Sequence, residues 1–65
     1  MRIRVNGEER EVAAATLEAL LAELGYEDGP YATALNLDFV RGMDRGKTAL
    51  SEGDKVEIVS PKQGG

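Results

Sequence analysis

The sequence predicts an α+β domain in which a mixed β-sheet is covered on one face by a single helix. Three observations carry that expectation. Apolar and polar residues alternate with a period of two near both ends of the chain, a leucine stripe at helical spacing lies between them, and an Asn-Gly pair follows the first alternating run.

Residues 1–5 place Met1, Ile3 and Val5 on one side of an extended chain and Arg2 and Arg4 on the other, as a strand with one buried and one wet face requires. Asn6-Gly7 tolerates the positive φ angles of a two-residue type I′ turn, so residues 8–12 are expected to return antiparallel. Leu17, Leu20, Leu21 and Leu24 fall at i, i+3, i+4 and i+7, with Glu18, Ala22 and Glu23 elsewhere on the wheel. Thr16 is the expected N-cap and Gly25 the residue that closes the last turn. Ala19 stands where a capping box would need Glu or Gln.

Residues 26–30 read as a loop, and residues 31–35 as a third strand. Either Ala32 and Ala34 or Thr33 and Leu35 can face the core, because both alternations are mostly apolar. Asn36, Leu37 and Asp38 are expected to turn into a short strand at Phe39-Val40. Residues 41–49 form a polar loop interrupted by Gly42 and Gly46, Leu50 an apolar plug, and Glu52-Gly53-Asp54 a turn. Residues 55–60 are the last strand, with Val56 and Ile58 inward and Glu57 and Val59 outward. Pro61, lacking an N–H, ends it.

One amphipathic helix must bury its leucines, and laying it across a sheet is the economical two-layer solution. A right-handed crossover puts the strand after the helix beyond the hairpin and leaves room for the last strand beside the first. That is the β-grasp, or ubiquitin-like, topology, with four to five strands. It divides the chain into a β-grasp domain over residues 1–60 and a tail over residues 61–65.

Composition narrows the chemistry. The chain has 65 residues, no cysteine and no histidine. Thiolate nucleophiles, imidazole bases and the usual zinc ligand sets are thereby excluded, and a chain this short has little volume for an enclosed active site. No metal, bound cofactor or self-contained enzyme is expected. A net charge of −4 without a Lys/Arg stripe argues against nucleic acid. No apolar run approaches a membrane span and no secretory signal opens the chain, so a cytoplasmic monomer is expected.

Pro61, Lys62 and Gln63 lead to Gly64-Gly65 without an apolar anchor, and five extended residues reach at most about 17 Å. Two glycines remove every side-chain atom beside the carboxylate, so the backbone can thread a channel too narrow for a Cβ. With a pKa of about 3.3–3.7, an α-carboxyl is the anion needed at neutral pH to attack the α-phosphate of ATP. A sulfur nucleophile displacing AMP from the acyl adenylate leaves a thiocarboxylate; an amine leaves a conjugate. Gly65 is the candidate reacting residue, with Gly64, Gln63, Val59 and Phe39 as candidate partner contacts. A Gly-rich frayed end is the plain alternative for the pair, and ordinary surface exposure is the alternative for Val59 and Phe39. Arg41, Arg45 and Lys47 are candidates to read acidic groups on a partner, against the simpler reading of a solvated loop. Asp38, Asp44 and Asp54 are explained by turn hydrogen bonds.

Ile3-Arg4-Val5-Asn6-Gly7-Glu8, Ala34-Leu35-Asn36 and the run from Leu50 through Gly53-Asp54-Lys55-Val56 to Val59, ending in Gly64-Gly65, resemble the ThiS family of thiamine-biosynthesis sulfur carriers. The resemblance covers nearly the whole chain. It implies adenylation of Gly65 by an E1-like, ThiF-type enzyme using ATP, sulfur supplied by a donating enzyme, and delivery to a ThiG-type thiazole synthase. The family's common Arg-x-x-Trp pattern reads Arg41-Gly42-Met43-Asp44 here, without the tryptophan. The small subunit of molybdopterin synthase shares the fold and the diglycine, but tends to be longer and to approach it through aromatic and proline residues. A ubiquitin-like interaction module without sulfur chemistry is the alternative outside the carrier class.

Overall fold

The sheet has five strands in the order β2-β1-β5-β3-β4. In chain order these are β1 (Arg2–Val5), β2 (Glu8–Glu11), β3 (Ala32–Leu35), β4 (Asp38–Val40) and β5 (Lys55–Val59), with helix α1 (Leu17–Glu23) between β2 and β3. The computed structural model describes residues 1–26 and 30–60. Part of the loop expected at 26–30 and the whole tail at 61–65, with Gln63, Gly64 and Gly65, lie outside the described residues.

β1 and β2 pair antiparallel from Arg2↔Glu11 to Val5↔Glu8, joined by a turn in which Asn6 has φ 51° and Gly7 φ 85°. Both central residues are left-handed, the signature of a type I′ turn, which matches the right-handed twist of the strands it joins. The crossover through α1 inserts β5 between β1, with which it is parallel, and β3, with which it is antiparallel. This is the β-grasp arrangement the element order predicts.

Helix α1 begins where Thr16 accepts a hydrogen bond from the Ala19 N–H at 3.1 Å. It ends in a Schellman closure: the Gly25 N–H donates to the Ala22 carbonyl, the Tyr26 N–H donates to that of Leu21, and Gly25 has φ 87°. Its leucine stripe lies against the sheet. Leu17, Leu20 and Leu21 are buried with Ile3, Val5, Val12, Ala14, Leu50, Val56 and Ile58, while Leu24 packs half-buried at the margin. Full burial of one such side chain is worth about 1.5–3 kcal/mol. Glu23, on the polar side of the wheel, accepts from the Ala13 and Ala14 N–H groups and so ties the end of the helix to the strand–helix connection.

Three expectations are refined. Thr33, 1% exposed, faces the helix with Leu35, which settles the facing of β3 and turns Ala32 and Ala34 to the open side of the sheet. The turn after β3 is the two-residue pair Asn36-Leu37, with φ 51° and 75°, and Asp38 already belongs to β4. Residues 41–49 are not simply a solvated loop. Gly42–Lys47 form a 3-10 helix, closed by the Thr48 hydroxyl donating to the Asp44 carbonyl at 2.7 Å, and the chain beyond pairs with the start of α1 through a Thr16–Ala49 bridge.

Candidate functional site

The face of the sheet opposite α1 divides into two halves. On β1 and β2, Arg2 and Arg4 lie beside Glu9 and Glu11, with N···O separations of 3.6–3.7 Å. These exposed pairs neutralise one another and contribute little stability. The other half, on β5, β3 and β4, is mostly apolar. The register aligns Glu57, Ala34 and Phe39 in one row and Val59 and Ala32 in the next.

The two alanines set the shape of this half. Small side chains on the central strand β3 leave a shallow recess bounded by Phe39 on one side and by Glu57 and Val59 on the other. Phe39 is 68% and Val59 56% exposed. Isolated exposed apolar residues are ordinary, but here two candidate contacts and two alanines are contiguous on one face, the form a docking surface takes. Val59 is also the last residue of β5, so the recess adjoins the point from which residues 61–65 depart. Ala32 and Ala34 were not identifiable as floor residues from sequence, because their facing rests on pairing with β5.

The basic residues near the 3-10 helix do not form a shared reading head. Arg45 turns inward, donating from Nε to the Thr33 hydroxyl at 3.0 Å and from Nη2 to the Tyr31 carbonyl. Thr33 in turn donates to the Val40 carbonyl at 2.9 Å. A buried hydroxyl on β3 needs both partners satisfied, and Arg45 supplies one of them. Arg41 pairs with Asp44 at 3.1 Å on the surface. Asp54 accepts from the Ser51 N–H and from Asn36 Nδ2, the turn role expected of it.

Two asparagines hold β5, which sequence patterning did not reveal. Asn36 Oδ1 accepts from the Lys55 N–H at 3.0 Å at the start of the strand. Asn6 holds the other end: its Oδ1 accepts from the Ile58 N–H at 2.8 Å and its Nδ2 donates to the Ile58 carbonyl at 3.1 Å. Each occupies the first left-handed position of a hairpin turn, and that role accounts for an asparagine without invoking the side-chain bonds.

The Glu11 carboxylate is displaced electrostatically. Its pKa is held below the ordinary value by a hydrogen bond and charge attraction from the Met1 ammonium, 3.1 Å away, with Arg2 adding to the effect. It lies on the edge strand away from the recess.

A β-grasp body with an apolar recess beside the end of β5 is the architecture of a small ubiquitin-like protein. The chain belongs to the ThiS family of sulfur carriers, whose model matches residues 3–65. It is 38% identical over 61 residues to the sulfur carrier protein ThiS of Thermus thermophilus, covering 94% of this chain and 95% of that one. The crystal structure of the thiamine biosynthesis protein ThiS from Geobacter metallireducens superposes with a TM-score of 0.81 at 28% identity, each chain covered completely. A thiazole synthase of Paramagnetospirillum magneticum is 42% identical over 66 residues, covering all of this chain. The chain spans only 20% of that relative's length. No helix among the described residues is long and apolar enough to cross a membrane.

Proposed function

We propose that the chain carries sulfur for construction of the thiazole of thiamine, as a thiocarboxylate on Gly65, in the cytoplasm. The observation that carries this reading is the family match, which continues through Gly64-Gly65 to residue 65 instead of stopping at the last strand. In the first step a Gly65 carboxylate oxygen attacks the α-phosphorus of ATP, forming the acyl adenylate and releasing pyrophosphate on an E1-like, ThiF-type enzyme. Sulfide released by a donating enzyme then attacks the acyl carbon and expels AMP, which takes away one of the original carboxylate oxygens and leaves the thiocarboxylate. A ThiG-type thiazole synthase is the acceptor's enzyme, in keeping with the likeness of this whole chain to part of a protein of that name.

The body contributes binding. The recess formed by Ala32, Ala34, Phe39 and Val59 is the docking surface in this reading, with Gly64 and Gln63 lying along the partner's channel. Neither glycine has a Cβ to obstruct that channel. ATP belongs to the activating enzyme.

Intact-mass analysis after incubation with ATP, activating enzyme and sulfur donor tests the proposal. The expected product is heavier by the difference between sulfur and oxygen, and a chain lacking Gly65 remains unchanged while retaining its circular dichroism. Charging of the truncated chain at the wild-type rate would overturn the assignment of Gly65.

A further inference from the structure

Strand β1 supports β5 only part of the way. Paired residues end at Val5↔Val56, the Asn6 N–H then donates to the Val56 carbonyl at 2.9 Å, and the chain turns away at Gly7. β5 runs on to Val59. On the side β1 has vacated, the Asn6 carboxamide takes over, matching one donor and one acceptor to the backbone N–H and carbonyl of Ile58. The amide thus acts as a substitute strand residue, one peptide group long, at the last inward-facing position before the tail.

We infer that Asn6 is a positioning residue, whose grip on both backbone groups of Ile58 fixes the direction in which the end of β5 delivers the chain toward the activating enzyme. This rests on the carrier reading above. The reacting carboxyl has to reach a fixed point while the recess holds the body, so the direction of the end of β5 determines how well the two are aligned. Without the carboxamide the end of β5 is held on one side only, by β3 through Thr33↔Ile58 and Ala32↔Val59. The resulting misdirection slows charging, because small displacements of a reacting group are costly in rate.

Asn36 provides the control. It has the same φ of 51°, occupies the same position in its own type I′ turn, and grips β5 through one side-chain acceptor, but at Lys55, the end remote from the tail. Asn6→Gly and Asn36→Gly both retain a residue suited to left-handed φ while removing the carboxamide. They separate aiming from general stability.

The experiment combines hydrogen exchange of the isolated full chain with steady-state charging by the activating enzyme. In Asn6→Gly, Ile58 amide exchange is expected to accelerate roughly tenfold beyond any change at Leu20, which reports the core. Charging kcat is expected to fall roughly two- to tenfold with KM within about twofold, since β5 keeps its pairing with β3 through Ala32↔Val59 and so keeps Val59 at the recess. Asn36→Gly is expected to leave kcat at the wild-type value at equal folded fraction. Equal kcat for the two variants, or Ile58 exchange that merely follows Leu20, overturns the inference. Failure of the wild-type chain to be charged would instead overturn the carrier reading, leaving exchange at Ile58 to decide whether the clamp exists.

Discussion

Replacing Thr33 by valine probes the interior tie that joins the 3-10 helix to the sheet. The substitution keeps the shape of a side chain that is 1% exposed and exchanges its hydroxyl for a methyl. Two bonds are lost, the donation to the Val40 carbonyl at 2.9 Å and the acceptance from Arg45 Nε at 3.0 Å. A neutral hydrogen bond contributes about 1 kcal/mol net, and one to a charged group about 1.5–3 kcal/mol. Arg45 keeps the Tyr31 carbonyl and is only half-buried, so water recovers part of the second term. The additional buried methyl returns about 0.8 kcal/mol. The expected net loss is about 2 kcal/mol, or roughly 8–16 °C in Tm for a domain of this size. Urea denaturation followed by circular dichroism measures it, and a double-mutant cycle with Arg45→Met should give a coupling of about 1–2 kcal/mol. β4 is an edge strand paired with β3, so the same loss should loosen Phe39 at the rim of the recess. A Thr33→Val protein as stable as the wild type, or strict additivity with Arg45→Met, would refute the account of Arg45 as an interior anchor.

Phe39→Asp, at an exposed position, should leave stability within about 0.5 kcal/mol of wild type and raise the activating enzyme's KM roughly tenfold, equivalent to about 1.4 kcal/mol; charging kinetics beside a denaturation curve check both. Leu37 is 84% exposed yet held at φ 75°, a conformation costing a non-glycine residue about 1–2 kcal/mol. Leu37→Gly relieves this at an entropic cost of about 0.5–1 kcal/mol. A net stabilisation of roughly 0.5–1 kcal/mol by urea midpoint is expected, with no core packing lost. Glu11 has a folded pKa below its ordinary 4.5, so its contribution is full above that value and disappears as pH falls through the lowered one. Glu11→Gln should therefore flatten part of the wild-type stability loss below about pH 5 in acid titrations, and the difference should shrink at high salt because the pair is exposed.

Elements whose signal is local were legible in the sequence. Ile3 and Val5, Val56 and Ile58, and the stripe Leu17, Leu20 and Leu21 identified themselves because burial imposes a period of two on a strand and 3.6 on a helix. Asn6-Gly7, Thr16 and Gly25 marked turn, cap and closure because each job selects among few residue types. Val59 could be named as exposed from the alternation of β5, with Phe39 beside it as a second candidate.

Other features depended on elements distant in sequence. Ala32, Thr33, Ala34 and Leu35 offer two nearly equivalent apolar alternations, and only pairing of Thr33 with Ile58 and Val40 selects which one meets the helix. Arg45 looked like a surface cation because charge normally seeks water; the buried Thr33 hydroxyl and Tyr31 carbonyl that redirect it lie more than ten residues away. Asn6 and Glu23 were assigned to a turn and a wet helix face, and their further grips on Ile58 and the Ala13-Ala14 backbone arise only when the chain folds back. The sequence by itself determined the strands and the helix, since periodicity and residue type act over a few neighbours, and its family resemblance pointed to the class of carrier. The tertiary structure decided which alanines floor the recess and which asparagine holds the root of the tail, because hydrogen-bond partners fifty residues apart in sequence are created by the topology that joins them.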